Sequence, residues 1–165
     1  MNWKRTEKLV AAFVFAYSMV IYLLTVAPAA SFWDSGEFIA IANRLQVSHP
    51  PGAPFYMLIG RFFSMFVPVE YIAFSVNLVS VFCSALTVLL LHLIIVRLVR
   101  EWQGNPSTWN PIDRIVALTG GVVGACAFAA TDSFWFNAVE AEVYAMSMLF
   151  TAAVVYLILR WREEA

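Results

Sequence analysis

Most of the side chains able to do chemistry in this chain fall in one acidic, proline-punctuated stretch, from Phe32 to Pro54. Asp34 and Glu37 are three positions apart, so on a helix both carboxylates share a face, and either can serve as a general base or a metal-binding group. The same spacing makes Asp34-Ser35-Gly36-Glu37 a capping box at a helix start, and the residues alone weigh the two readings evenly. His49, ahead of Pro50-Pro51-Gly52, is able to donate to a phosphate or help hold a metal. A lone loop histidine is more often solvated or bonded locally. Arg44 and Arg61 are candidates for a phosphate-bearing ligand, because a guanidinium meets phosphate oxygens bidentately; the alternative is snorkelling to lipid headgroups, which for Arg61 weighs at least as much. Glu140 and Glu142 are two apart, so on one helix at most one of them points at this stretch.

The elements that must position these groups are membrane elements. Of 165 residues, 62% are hydrophobic and only 13% charged, against about half and about a quarter in an ordinary soluble domain. The expected class is therefore an all-α integral membrane protein. A net charge of −1 and the lack of a basic run outside the short N-terminus exclude the electrostatic footprint of a nucleic-acid binder. Cys83 and Cys126 lie inside apolar runs and read as buried small hydrophobes. No Cys-x-x-Cys, phosphate-loop, His-Glu-x-x-His or Gly-x-Ser-x-Gly pattern occurs.

Four spans are expected, at about 9–30, 71–98, 115–130 and 139–159, forming one transmembrane module over 1–165. The first has the small-x-small Ala27-Pro28-Ala29 of a signal cleavage site, but it is longer than a signal core and reads as an uncleaved span. Between the first two spans lies loop 31–70. In it, Phe38, Ile41, Ala42 and Leu45 recur at helical spacing and predict an amphipathic interfacial helix over 34–47. His49-Pro50-Pro51 stops that helix. The apolar stretch 55–67, interrupted by Gly60 and Arg61, is short enough to be interfacial or re-entrant. Hydrophilic 101–114, with Pro106 and Pro111, joins spans two and three, and 132–137 reads as an aromatic turn. Gly120 and Gly124 form a face on which a partner membrane helix can pack closely. Asn77 and His92 read as interhelical hydrogen bonders.

Charge counting fixes the parity. If 55–67 does not cross, Lys4, Arg5, Lys8, Arg97, Arg100, Arg114, Arg160 and Arg162 share one side, with only Arg44 and Arg61 on the other. Both termini are then cytoplasmic. Loop 31–70 is exoplasmic, and periplasmic in the bacterial inner membrane that is the expected location.

Three motifs, Trp33-Asp34-Ser35-Gly36-Glu37-Phe38, His49-Pro50-Pro51-Gly52 and Ala141-Glu142-Val143-Tyr144, occur here in an order that resembles the GT-C superfamily of polyprenyl-phosphate-sugar-dependent glycosyltransferases. Within it the chain is similar to the family that includes the transmembrane O-mannosyltransferase of plexin-type receptors. The resemblance implies a GT-C-like N-terminal module and inverting transfer of a sugar from a lipid-phosphate donor to an acceptor hydroxyl, on a protein or glycan, at the outer face. It implies Asp34 as the general base, with Glu37 and His49 shaping the site. Arg44 or Arg61 would meet the donor phosphate, and Glu142 and Tyr144 would bind substrate. No residue is assigned as a metal ligand, and the need for a divalent metal stays open.

Family members run on through further spans, whereas this chain stops at Ala165 after its fourth. A truncated form, a split subunit and an inactive relative are the corresponding expectations. The alternative function is a non-catalytic membrane subunit that binds a partner protein or lipid through the same loops.

Overall fold

The computed structural model describes residues 3–50, 52–104 and 108–164. Pro51 of the proline turn, Pro106 and the side chain of Lys4 lie outside the described residues. The chain forms α1 (Trp3–Thr25), α2 (Ser35–Arg44), α3 (Pro54–Ser64), a 3-10 turn (Val69–Tyr71), α4 (Ile72–Gln103), α5 (Pro111–Ala129), α6 (Asp132–Val139) and α7 (Val143–Glu164). Four helical stretches, Arg5–Thr25, Val69–Gln103, Pro111–Ala129 and Val143–Glu163, are long and apolar enough to cross a membrane. The protein is an all-α integral membrane module.

The hub is α4, whose 32 residues extend about 48 Å at 1.5 Å per residue. It is apolar nearly all round, as a helix must be when neighbours surround it. Helices α1, α5 and α7 pack along it, and α2, α3 and α6 pack on its N-terminal half. The 11 residues of α3 cover only about 16 Å, half the hydrocarbon thickness, so α3 does not span. One core lies beneath α2 and α3, where Phe38, Ala42, Tyr56, Val76 and Met146 meet. The other joins α1, α4, α5 and α6 around Tyr22, Val81, Val88, Ala125 and Phe134.

Ion pairs Arg97–Glu163 and Arg162–Glu101 tie the C-terminal turns of α4 and α7 together. At the same end, the ring of Trp3 meets that of Trp109 edge-on, centroids 5.2 Å apart. The other end carries α2, α3 and the two breaks in the spanning helices. There α1 stops at Thr25, short of the expected Ala30, and Pro28 marks a non-helical segment. Asn77 Nδ2 on α4 donates to the carbonyls of Ala27 (2.8 Å) and Ala29 (3.1 Å), and the Ala27 N–H donates to the Val139 carbonyl at 2.8 Å.

Other boundaries also moved. The expected aromatic turn at 132–137 is helix α6, because Phe134 and Ala138 bury one face in the core, with Phe134 4.4 Å from the Phe128 ring. The last span consequently begins at Val143. Helix α5 starts early, at Pro111, through a capping box in which Asn110 Oδ1 accepts from the N–H groups of Ile112 and Asp113 while Asp113 accepts from Asn110. Helix α2 ends at Arg44 because Leu45 turns left-handed (φ 51°) and the Gln46 N–H reaches the Ile41 carbonyl at 3.0 Å, a Schellman closure.

The close approach to α4 uses Gly121, where an added Cβ would lie 2.7 Å from Val96 and 2.8 Å from His92. Gly124 also faces α4, against Ile95, and Gly120 faces open space. His92 is buried at this crossing with neither ring nitrogen hydrogen-bonded among the described residues, unlike Asn77. Both cysteines are free.

Two outcomes follow in thermal unfolding of the detergent-solubilised protein. Gly121→Val should cost about 1–3 kcal/mol through overpacking, whereas Gly120→Ala should leave stability unchanged or slightly raised. Asn77→Leu should cost about 1–3 kcal/mol for each carbonyl it strands, enough to lower the midpoint by several degrees.

Candidate functional site

The site is built where α2 and its following loop lean on the α6–α7 break. The capping box that the spacing allows at Asp34 does not form. Asp34 has helical backbone angles (φ −82°, ψ −5°) and makes no side-chain cap bond. Glu37 is used differently: its Oε1 accepts the His49 N–H at 2.9 Å, and its Oε2 lies 3.0 Å from His49 Nδ1. One carboxylate thus pins the proline loop to α2. The His49 ring rests on Phe38, which rests edge-on against buried Tyr56. On the other edge of the imidazole, Nε2 stands 3.9 Å from Asp34 Oδ2.

The facing wall comes from Glu140 to Tyr144. Glu140 is extended (φ −138°, ψ 166°), so the argument that two residues on one helix must diverge does not apply to this pair, and both carboxylates are buried. Ser80 on α4 holds the break, accepting the Glu142 N–H at 3.3 Å and donating to its carbonyl at 3.4 Å. A pocket of about 160 Å³ results, lined by Asp34, Ser48, His49, Glu142 and Tyr144 among others.

The electrostatics separate these groups. The backbone and ring hydrogen bonds from His49 hold Glu37 below the usual carboxylate range. The hydrogen bond and charge of Glu37, with Asp34 and Glu142 adding, push His49 above the ordinary imidazole range. Burial, reinforced by Glu140 and Asp34, raises Glu142 to about 7. At neutral pH the pocket therefore combines a cation-prone imidazole with a carboxyl group poised between its acid and its anion.

Asp34, His49, Glu142 and Tyr144 line this pocket and Glu37 stands behind His49, while the two arginines do not line it. Arg44 is exposed in the last turn of α2. Arg61 donates to the carbonyl of Asn43 and, at 3.1 Å, to its Oδ1, so it closes the C-terminus of α2. Two features escaped the sequence. The hydroxyl of Ser48 is buried in the pocket wall without a hydrogen-bond partner among the described residues. Trp33 is strained at φ 60° and 91% exposed beside Asp34, a placement no local pattern signals. Asp34, Glu37 and His49 each offer one ligand atom, all within 4.8 Å of one another, and so form a set able to accept a divalent cation.

Residues 34–165 match the sequence family described as the Protein O-mannosyl-transferase TMEM260 N-terminal domain. The chain is 26% identical over 146 residues to the Protein O-mannosyl-transferase tmem260 of Dictyostelium discoideum, covering 87% of this chain and 16% of that protein. It is 29% identical over 150 residues to the Protein O-mannosyl-transferase TMEM260 of Mus musculus, covering 91% of this chain and 19% of that one. The chain thus spans less than a fifth of the length of these curated relatives. No solved structure matches it.

The His49–Glu37 pair sets a pH response. Because the folded protein raises the imidazole, the pair stabilises the fold fully below the ordinary histidine range, and this stabilisation is lost as pH rises through the folded value. Glu37 acts oppositely, its contribution fading as pH falls through its lowered value. An NMR titration of the imidazole should place His49 above the unperturbed value in the wild type and return it towards that value in Glu37→Gln; no change would remove this account of the pair.

Proposed function

Since the chain belongs to the Protein O-mannosyl-transferase TMEM260 N-terminal domain family, we propose that it forms the acceptor-side wall of a membrane glycosyltransferase site, moving mannose from a polyprenyl-phosphate donor to a protein hydroxyl. The observation that carries this is the convergence of three distant motifs on one pocket, with Asp34, His49 and Glu142 presented to the same space.

In the proposed reaction the acceptor oxygen attacks the anomeric carbon as the bond from that carbon to the phosphate oxygen breaks on the opposite face. Asp34, accessible and at the pocket edge, takes the acceptor proton. The polyprenyl phosphate leaves with the electron pair. His49, which Glu37 biases towards its charged form, stands 3.9 Å from Asp34 and so lies on the side of the base, where it orients that carboxylate; the guanidinium of Arg61 is committed to Asn43. Protonated Glu142 donates to a sugar or phosphate oxygen, and Tyr144 offers a ring and a hydroxyl at the rim. A divalent cation at Asp34, Glu37 and His49 would compete with the proton on His49, so addition of a chelator shows whether transfer depends on one.

The scarcity of cations around the pocket supports a non-cytoplasmic position for it, since Lys8, Arg97, Arg100 and Arg160 crowd the opposite end of the bundle. That side is the periplasm if the membrane is a bacterial inner membrane; both named relatives are eukaryotic. Gly120, open to the outside, suits close packing of a further membrane helix.

With reconstituted protein, polyprenyl-phosphate mannose and an acceptor, Asp34→Asn should lower transfer by roughly 10²–10⁴-fold while retaining donor binding. His49→Gln should lower transfer by about tenfold, the scale of one charge-assisted hydrogen bond, with donor binding retained. Transfer should fall as pH rises past about 7 in the wild type, and Glu142→Gln should remove the Glu142 part of that falling limb, leaving the part set by deprotonation of His49. Full transfer by Asp34→Asn would overturn the assignment of the base. Donor binding without transfer by the wild type would favour a non-catalytic, lipid-binding subunit.

A further inference from the structure

At the end of the bundle opposite Asp34, the first turns of α1 and the last turns of α4 and α7 leave a cleft of about 820 Å³. Its deeper wall is apolar, formed by Ala11, Ala12, Phe15, Leu89 and Leu93, which lie nearer the middle of their helices than the charged residues. Its mouth carries Lys8, Arg97, Arg100 and Arg160 against Glu7 and Glu163, an excess of positive charge. Arg97 is fixed there, with Nε 3.4 Å from Glu163 Oε1 and its guanidinium 4.4 Å from the centre of the Tyr156 ring.

Two nitrogen donors of residues lining this cleft, Trp3 Nε1 and Arg100 Nε, are buried without a hydrogen-bond partner among the described residues. Buried donors are nearly always satisfied, so two at the mouth of one cleft beside the Arg97 guanidinium call for an acceptor rich in oxygen. The mouth by itself suits any phosphate. The apolar wall below it, within a membrane-spanning bundle, suits a phosphate that carries an acyl chain.

We propose that this cleft binds an anionic phospholipid, with its phosphate among Trp3, Arg97 and Arg100 and an acyl chain along Phe15, Leu89 and Leu93. The site is separate from the Asp34 pocket and does not depend on glycosyl transfer. Lys8 and Arg160 add attraction at the mouth. Phosphatidylcholine, having no net charge, gains less from the surplus of cations.

Native mass spectrometry of protein released from nanodiscs of mixed phosphatidylcholine and phosphatidylglycerol tests the site. Wild type should retain phosphatidylglycerol in preference to phosphatidylcholine, and removing one cation should weaken that retention about fivefold. Arg100→Gln probes the mouth directly. Lys8→Gln changes an exposed position and keeps the comparison valid if Arg100→Gln misfolds, as judged by circular dichroism. Excess inorganic phosphate should leave the lipid bound. Equal retention of the two lipids, unchanged phosphatidylglycerol retention in folded Lys8→Gln, or displacement by inorganic phosphate would overturn the proposal.

Discussion

Backbone that leaves the helical path beside lipid must have its N–H and C=O groups hydrogen-bonded inside the protein, because hydrocarbon offers no partner. This module leaves that path at 26–34 and at 140–142, and the residues that make chemistry conceivable lie at or beside those two breaks. Buried polar side chains of α4 supply the partners: Asn77 holds the carbonyls of the first break and Ser80 the Glu142 peptide of the second. The Ala27–Val139 bond joins the first break to the end of α6. Without these bonds the backbone groups of both breaks would be left unpaired beside lipid, and neither wall of the pocket would stand where it does.

On that frame the carboxylates acquire different properties from different surroundings. Glu37 receives two hydrogen bonds from His49 and is kept ionised, while Glu142, buried near Glu140 and Asp34, is driven towards its neutral form. Asp34 stays accessible between them. One histidine mediates this arrangement: its backbone and Nδ1 engage Glu37, its ring covers Phe38, and its Nε2 faces Asp34. An imidazole this close to an accessible carboxylate shares one side of the pocket with it and can fix its orientation.

The two ends of the bundle divide the labour. At one end, short helices and breaks make a small polar pocket whose cation is a titratable histidine. At the other, long regular helices end in arginine and lysine that surround an apolar cleft. Because α4 runs from one end to the other and contacts nearly every other helix, it couples the placement of both.

The sequence by itself determined the class of protein, the number of spans and the residues worth watching, since these depend on composition, apolar run length and charge bias, all of which are local sums. It also located Asp34, Glu37, His49, Glu142 and Tyr144 as a group, through three motifs whose order carries family information. Which partner each residue takes was decided by tertiary structure. Asp34 and Glu37 satisfy the capping-box pattern, yet the box forms at Asn110 and Asp113, because His49 arrives from twelve residues away and claims Glu37. Arg61 looks like a phosphate ligand until α3 crosses α2 and offers it Asn43. Glu140 and Glu142 diverge on a helix, but packing of Phe134 and Ala138 draws 132–139 into α6 and leaves the pair in the break that follows. In each case the competing interaction is long-range, so no window of sequence contains it.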